Sequence, residues 1–266
     1  MATSAQSLSR NPSAVRGRFN WHELATTDPE AAKRFYTAVI GWETQEWPGS
    51  SHPYTMWTVQ GTAVGGLMPL PDDAASKGAP PHWLSYVECQ DVDETHADAL
   101  RLGARTYVPP TDIPDVGRFA VLADPQGAAF AVFTPLLSSS SMTTPSISTF
   151  SWHELMTTNE SDAFQFYSAL FGWQKTSAMD MGEMGTYQMF GLSEEPMGGM
   201  YTIPPGMGAP PMWLPYVHVD NADAAAERVT QNGGTIKNGP MEVPGGDRIA
   251  VCADPQGAVF AVHSKP

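Results

Sequence analysis

Two segments of the sequence place a glutamate beside a tryptophan in the same order of residue types. They are FNWHEL at 19–24 and FSWHEL at 150–155. Because side chains alternate between the faces of a strand, Trp21 and Glu23 share one face, and the second copy repeats this. A carboxyl group in an apolar pocket has a raised pKa, which suits general acid or base catalysis. Glu23 and Glu154 are therefore the candidate catalytic residues. A carboxylate that accepts hydrogen bonds within the core is the alternative.

Six residues, again in matched pairs, are candidates for ligand binding, and the first pair is Trp21 with Trp152. Tyr86 and Tyr216 lie in the apolar runs WLSYV and WLPYV, and each offers a hydroxyl group. Arg118 and Arg248 precede a predicted strand, where a guanidinium group can hold an anionic group. For both arginines the alternative is a surface or cross-strand ion pair.

These pairs belong to a duplication that covers most of the chain. The sequence ADPQGA closes the first half and returns near the end of the second, after the tryptophan-containing segments described above. Residues 136–149, between the copies, are rich in Ser, Thr and Pro, which is typical of a flexible linker. We predict a disordered tail at 1–18, one domain at 19–135, the linker at 136–149 and a second domain at 150–266.

Each domain is predicted to contain two βαβββ modules. In the first module a strand precedes Asp28-Pro29, which is a helix-start signal, and an apolar stripe at helical spacing follows until Gly41. Strand-like runs separated by Pro and Gly come next, and the whole order repeats from His82. The aspartate of each DPQG segment is expected to form a turn. The predicted fold class is α+β, with tandem duplicated domains.

Composition argues against several partners. The formal net charge of −14 is unfavourable for nucleic acid or an anionic membrane surface. No apolar run approaches the roughly 18 residues that a membrane span requires, and the N-terminal residues lack the apolar part of a secretory signal. The two cysteines fit buried free thiols in a reducing compartment. We expect a cytoplasmic protein whose partner is a small molecule.

The module order and the pattern DxxxAxxFYxxxxGW, followed by a DPxG turn and a last strand, resemble the vicinal oxygen chelate superfamily. That group includes glyoxalase I, extradiol dioxygenases, fosfomycin-resistance enzymes and bleomycin-resistance proteins. The resemblance covers almost all of 19–135 and 150–266, and it is closest to the two-domain glyoxalase-like type. It implies that each pair of modules forms a curved sheet or cup, with Trp21, Glu23, Trp152 and Glu154 facing inward.

The resemblance also indicates where a divalent metal ion would bind. The superfamily's ligand positions on the first and last strands of the modules are occupied here by Trp21, Leu84, Ala131, Trp152, Leu214 and Ala261. None of these side chains offers a lone pair to a cation, so we expect no metal at these positions and no cofactor. An alternative set, deeper in the second cup, resembles a facial metal triad and consists of Glu154, His218 and His263.

Several functions are consistent with these residues. The preferred hypothesis is a metal-independent lyase, isomerase or hydrolase step, or a detoxification, on a small organic metabolite, with Glu23 or Glu154 as acid or base and a tyrosine assisting. One alternative is a non-catalytic protein that binds a drug or hydrophobic metabolite, as bleomycin-resistance proteins do. Another is a metal-dependent lyase or dioxygenase that uses the displaced triad. The last alternative is an interaction protein whose cups no longer bind a ligand. Whether the chain is an enzyme therefore stays open.

Overall fold

The computed structural model describes residues 11, 15–49, 53–137 and 146–266. Most of the predicted tail and the centre of the predicted linker therefore lie outside the described residues. Within the first repeat, the helices are α1 (Pro29–Ile40), α2 (Asp72–Ser76) and α3 (Val92–Arg101). The strands of this repeat are β1 (Phe19–Thr26), β2 (Glu43–Glu46), β3 (Thr55–Val59), β4 (Thr62–Pro69), β5 (His82–Glu88), β6 (Arg105–Ile113), β7 (Gly117–Ala123) and β8 (Ala129–Pro135).

The second repeat has the same order of elements, apart from the short helix α2. Its helices are α4 (Glu160–Phe171) and α5 (Ala222–Gln231), with a 3₁₀ turn at Gly182–Met184. Its strands are β9 (Phe150–Thr157), β10 (Gln174–Asp180), β11 (Thr186–Gly191), β12 (Gly198–Thr202), β13 (Met212–His218), β14 (Thr235–Glu242), β15 (Arg248–Ala253) and β16 (Val259–Ser264).

The strands form two sheets with the same topology. Among the described residues, the orders are β2-β3-β4-β1-β5-β8-β7-β6 and β10-β11-β12-β9-β13-β16-β15-β14. In both sheets the first and last strands of a module are parallel neighbours, as β5 and β8 are, whereas the strands joined by tight turns are antiparallel. The predicted α+β fold with duplicated βαβββ modules is confirmed.

Helices α1 and α4 begin and end as their sequences predict. The side chain of Asp28 accepts a hydrogen bond from the N–H of Ala31, and Asn159 caps α4 in the same way. Gly41 and Gly172 end these helices with φ of 85° and 78°, in the left-handed region that glycine adopts without strain. These local signals determine where each helix stops, and therefore where the following strand begins.

Close contacts divide the chain into two compact units, each of which draws on both repeats. Counting described residues only, unit 1 falls within Met1–Asn20, Ser85–Met142 and Leu155–Trp213. Unit 2 falls within Trp21–Leu84, Thr143–Glu154 and Leu214–Pro266. Each sheet thus follows one repeat, whereas each compact unit combines modules from both. The domain boundaries inferred from the repeats stay a prediction.

The helices supply the core of each unit. In unit 2 the stripe of α1, including Phe35, Tyr36 and Val39, packs with Val229 of α5 and Phe260 of β16. In unit 1 the matching stripe of α4 packs with residues of α3 and β8; it consists of Ala163, Phe166, Tyr167, Leu170 and Phe171. Burial of these large side chains is the main apolar contribution to the stability of each unit.

The aspartates of the DPQG segments are turn formers, as predicted. In unit 1 one oxygen of Asp124 accepts hydrogen bonds from the N–H groups of residues 126–128, and the other accepts from the Tyr167 hydroxyl at 3.0 Å. The Trp213 indole in turn donates to the Tyr167 oxygen at 2.9 Å. Unit 2 builds the same chain of contacts with Asp254, Tyr36 and Trp83. Burial raises the pKa of both aspartates.

The described ends of the predicted tail and linker are part of the folded units. In unit 1 the carbonyl oxygen of Gly17 accepts a hydrogen bond from the Trp173 indole at 2.7 Å. In unit 2 the carbonyl oxygen of Ser148 accepts one from the Trp42 indole at 2.7 Å. The two segments occupy equivalent places before β1 and β9. Both contacts join residues of the predicted tail and linker to tryptophans of the folded units.

Candidate functional site

Three polar side chains of unit 2 meet on one face of β1. This strand places Trp21 and Glu23 on the same side, and Tyr54 reaches them from the residue before β3. The Trp21 indole donates to the Tyr54 oxygen at 3.0 Å, and the Tyr54 hydroxyl donates to Oε2 of Glu23 at 2.9 Å. Because the tyrosine oxygen accepts from the indole, its own proton points to the carboxylate. All three side chains are half-buried.

Two consecutive glycines make room for this arrangement. Strand β4 runs parallel to β1 with Gly66 opposite Glu23, and the Tyr54 hydroxyl lies directly over the Gly66 Cα. A Cβ at Gly66 would overlap the tyrosine hydroxyl, and a Cβ at Gly65 would come within 2.7 Å of the His22 carbonyl oxygen. Both positions therefore require glycine, because the tyrosine hydroxyl and the carbonyl oxygen lie where a side chain would begin.

The electrostatics assign the proton of this hydrogen bond to tyrosine. Burial, and after it the negative charge of Glu23, raises the pKa of Tyr54 well above its usual value. The phenol accordingly stays protonated and donates its hydrogen bond to the Glu23 carboxylate. The arrangement presents an oriented carboxylate beside the flat apolar face of an indole.

Two buried histidines lie on the opposite side of the same strands in unit 2. Nε2 of His22 is 2.8 Å from Nε2 of His153, so one ring donates and the other accepts. The His22 ring also stacks on Phe150, with centroids 3.8 Å apart. Burial, with a smaller effect of His153, holds the pKa of His22 well below its ordinary value. This pair is a packing contact, and strand alternation keeps it away from Glu23.

In the second repeat, Trp152 and Glu154 are half-buried on β9 in the positions of Trp21 and Glu23. Within unit 1, the Tyr187 ring lies over Gly199, as Tyr54 lies over Gly66 in unit 2. Tyr187 also stacks on Tyr201, with ring centroids 6.1 Å apart. The tyrosine and glycine of the site are thus duplicated along with the rest of the fold.

The two tyrosines predicted from the sequence as ligand-binding residues are buried. Tyr86 is 6% exposed and lies opposite Ala131 on the neighbouring strand, and its ring is 6.3 Å from Phe119. Tyr216 is 3% exposed and lies opposite Ala261. A ligand role for Tyr86 and Tyr216 stays a prediction.

The two arginines form ion pairs, which is the alternative that the sequence left open. Arg118 donates to both oxygens of Asp93 at 2.8 and 2.9 Å, and to Asp112 at 2.6 Å. Arg248 makes a two-pronged contact with Asp223 in the same way. The hydrogen bonds raise the pKa of both guanidinium groups. Carboxylates of the chain therefore contact both guanidinium groups, and a role for Arg118 and Arg248 in holding an anionic ligand stays a prediction.

The sequence pattern of the Glyoxalase/Bleomycin resistance protein/Dioxygenase superfamily matches residues 18–132 and 149–262. The chain belongs to this superfamily. It is 35% identical over 249 residues to a Mycobacterium tuberculosis protein named "Putative glyoxylase CFP32", covering 93% of this chain and 94% of the relative. It is 29% identical over 255 residues to the "Anthracycline biosynthesis protein DnrV" of Streptomyces peucetius, covering 91% of each.

Solved structures of this superfamily share the fold at low sequence identity. The Mn(II)-bound glyoxalase from Novosphingobium aromaticivorans superposes with a TM-score of 0.65 at 17% identity, covering 95% of this chain and 83% of that one. The 2,3-dioxygenase LapB from Pseudomonas sp. KL28 gives 0.64 at 11% identity, covering 94% and 93%. No described helix is long and apolar enough to cross a membrane.

The residues of this chain do not suit a metal ion at the superfamily's ligand positions. Tryptophan, leucine and alanine occupy those positions and supply no donor atom. The alternative triad predicted from the sequence does not assemble either. Across 11, 15–49, 53–137 and 146–266, no three or more His, Cys, Asp or Glu side chains are grouped to hold a metal.

Tyr54 is the residue of the site that the sequence did not reveal. A signal for it was present, because both repeats carry a tyrosine, Tyr54 just before β3 and Tyr187 near the start of β11, and a Gly-Gly pair on the following strand. The tyrosine lies far along the chain from Glu23, so only the folded sheet shows that the two side chains touch.

Proposed function

We propose that the chain binds a small organic molecule at the face formed by Trp21, Glu23 and Tyr54 and catalyses a metal-independent proton transfer on it. The reaction would be of the lyase or isomerase type. The observation that carries the proposal is the Trp21–Tyr54–Glu23 chain of hydrogen bonds. It orients a carboxylate beside an apolar surface, as a general base requires.

Each residue has a distinct part in this reaction. Glu23 removes a proton from a carbon next to a carbonyl group and returns it to another atom of the same substrate, so no oxidant or reductant is needed. Tyr54 is a positioning residue that holds one carboxylate oxygen, and the Trp21 indole holds Tyr54 and offers a flat surface for stacking. Glu154 and Trp152 are proposed to serve the second repeat in the same manner.

The names of the relatives suggest the substrate class. One relative is named a glyoxylase and another an anthracycline biosynthesis protein. Both names are consistent with a carbonyl compound, and the second with a polycyclic aromatic ketone or quinone. We propose this class for the present chain. The free, buried thiols of Cys89 and Cys252 support a reducing, cytoplasmic location.

A non-catalytic binding function is the second candidate. The apolar residues at the superfamily's ligand positions favour it, since Leu84, Ala131, Leu214 and Ala261 are buried and add only apolar surface. A binder of this kind would use Trp21 and Trp152 for stacking and Glu23 and Glu154 only as hydrogen-bond acceptors.

One experiment separates the two functions. The full chain is incubated in D₂O with polycyclic ketones, quinones and 2-oxoaldehydes, and deuterium incorporation at carbon is followed by mass spectrometry. We expect Glu23→Gln to slow exchange on the order of a hundredfold or more, whereas the affinity of a binder would change by about 1–2 kcal/mol. Glu43→Gln, on exposed strand β2, is the matched control. Exchange that persists in both Glu23→Gln and Glu154→Gln would contradict the catalytic role.

A further inference from the structure

A serine, a histidine and an aspartate of unit 2 lie close together in the second sheet. The serine is near the start of β9, the histidine near the end of β16, and the aspartate just before β15. The Ser151 hydroxyl is 2.9 Å from Nδ1 of His263, and Nε2 of His263 is 3.7 Å from the Asp247 carboxylate. We propose that Ser151 is a nucleophile for acyl transfer, with His263 as its general base and Asp247 as the group that orients His263. This site would take an ester or thioester of a small carboxylic acid.

The contacts favour the tautomer that this reaction needs. A negative charge beside Nε2 favours a proton on that nitrogen, which leaves Nδ1 with a lone pair directed at the serine hydroxyl. Lys265 also approaches Asp247, at 3.2 Å. Burial, with a smaller effect of His218, lowers the pKa of His263 to about 4, so the ring is neutral near pH 7.

A second histidine extends the site. The His218 ring stacks on the His263 ring with centroids 4.9 Å apart, and His218 lies opposite His263 on the neighbouring parallel strand. Nδ1 of His218 is buried and has no hydrogen-bond partner among the residues that the structure describes. Such an atom is destabilising unless a polar group of a ligand contacts it. The carbonyl oxygen or leaving group of a bound ester would provide that group.

The first repeat shows that the fold does not require these residues. Asn20, Glu88 and Phe133 occupy the equivalent positions there, and Glu88 forms a buried ion pair with Arg18 at 2.6 Å. The serine and the two histidines are therefore specific to the second repeat, and they bring together hydroxyl and imidazole groups where the first repeat has a salt bridge.

The proposed chemistry needs water and no other co-reactant. The Ser151 oxygen forms a bond to the carbonyl carbon while its proton moves to Nδ1 of His263. The bond from carbon to the leaving oxygen or sulfur then breaks, and the leaving group takes that proton. Water attacks the acyl-serine and gives a proton to His263. The bond between carbon and the serine oxygen breaks, and the serine oxygen takes that proton from His263, which releases the acid and restores the serine.

The test uses the full chain and a fluorophosphonate, which forms a bond to an activated serine oxygen with loss of fluoride. We expect one adduct, located at Ser151 by peptide mass mapping of the unaltered chain and absent from Ser151→Ala. His263→Phe, the residue type of the first repeat, should slow labelling on the order of a hundredfold. Ser177→Ala, in an exposed serine of β10, is the matched control and should label as the unaltered chain does.

Hydrolysis of p-nitrophenyl acetate gives a second readout, with a burst of one nitrophenolate per chain that is lost in Ser151→Ala. Mapping on the unaltered chain keeps the test decisive if a variant fails to fold. Glu23→Gln should leave labelling unchanged, so this site and the proton-transfer site succeed or fail separately. An adduct at any other residue, or no adduct at all, overturns the proposal.

Discussion

The two repeats agree in one buried polar arrangement and differ in another. The same chain from a tryptophan through a tyrosine to the DPQG aspartate occurs once in unit 1 and once in unit 2, and each time one repeat supplies the aromatic residues and the other the aspartate. At the ends of β5 and β13 they diverge, because the first repeat has Glu88 with Arg18, whereas the second has His218 stacked on His263. The buried DPQG turn, in which both aspartate oxygens accept hydrogen bonds, is therefore the same in the two units. The ends of β5 and β13, in contrast, hold different polar side chains.

The largest effect is expected from breaking the ion pair of the first repeat. Glu88 is fully buried and accepts hydrogen bonds from the Val15 N–H and the Arg18 guanidinium. Glu88→Gln leaves a largely buried cation without its partner and should destabilise the chain by about 3–5 kcal/mol. Urea unfolding at pH 7 measures this. In the comparison variant, His218→Gln, the free energy of unfolding should fall by only about 1 kcal/mol, because Nδ1 of His218 has no partner among the described residues to lose.

The pH dependence of stability should also differ between the two repeats, because only the second has a histidine at the position of His263. The pKa of His263 falls to about 4 in the folded chain, mainly through burial, from an ordinary value near 6.5. The unfolded chain therefore binds more protons between these values, and the stability contributed by the neutral ring is present above pH 6.5 and lost as pH falls to about 4.

We expect a loss of about 2–3 kcal/mol over that range, measured as the difference in unfolding free energy between the unaltered chain and His263→Phe. Phe133, which occupies the equivalent position in the first repeat, cannot titrate. If His263→Phe leaves the slope between pH 4 and 6.5 unchanged, the ring is not the titrating group.

The glycines under the two tyrosines should respond alike. Gly66→Ala and Gly199→Ala each insert a methyl group where a tyrosine ring lies, and we expect each to destabilise the chain by about 1–3 kcal/mol. Thermal unfolding provides the measurement. A loss confined to one glycine would show that only one of the two tyrosines holds its position.

The smallest effect is expected from Tyr54→Phe, which removes the hydroxyl and keeps the ring. The change should cost about 1 kcal/mol of stability and slow deuterium exchange about tenfold, since Glu23 loses one orienting donor. Tyr201→Phe, in the tyrosine stacked on Tyr187, serves as the control. An exchange rate that falls as far as in Glu23→Gln would give Tyr54 a part in the proton transfer itself.

The site was only partly predictable from the sequence. Strand alternation placed Trp21 and Glu23 on one face, but it could not supply their partner Tyr54, which joins them through the strand order. The arginines show another limit, since an Arg before a strand is compatible with a ligand or an ion pair, and only the folded chain shows which carboxylates they contact.

By itself the sequence determined the duplication, the βαβββ order, the helix caps at Asp28 and Asn159 and the turn-forming aspartates. Each of these follows from local periodicity or from contacts within a few residues. Only the tertiary structure decided which modules share a core, which hydroxyl contacts Glu23, and that Ser151 meets His263. Those contacts join residues far apart in the chain, and their partners are selected by strand order and packing, which no local pattern encodes.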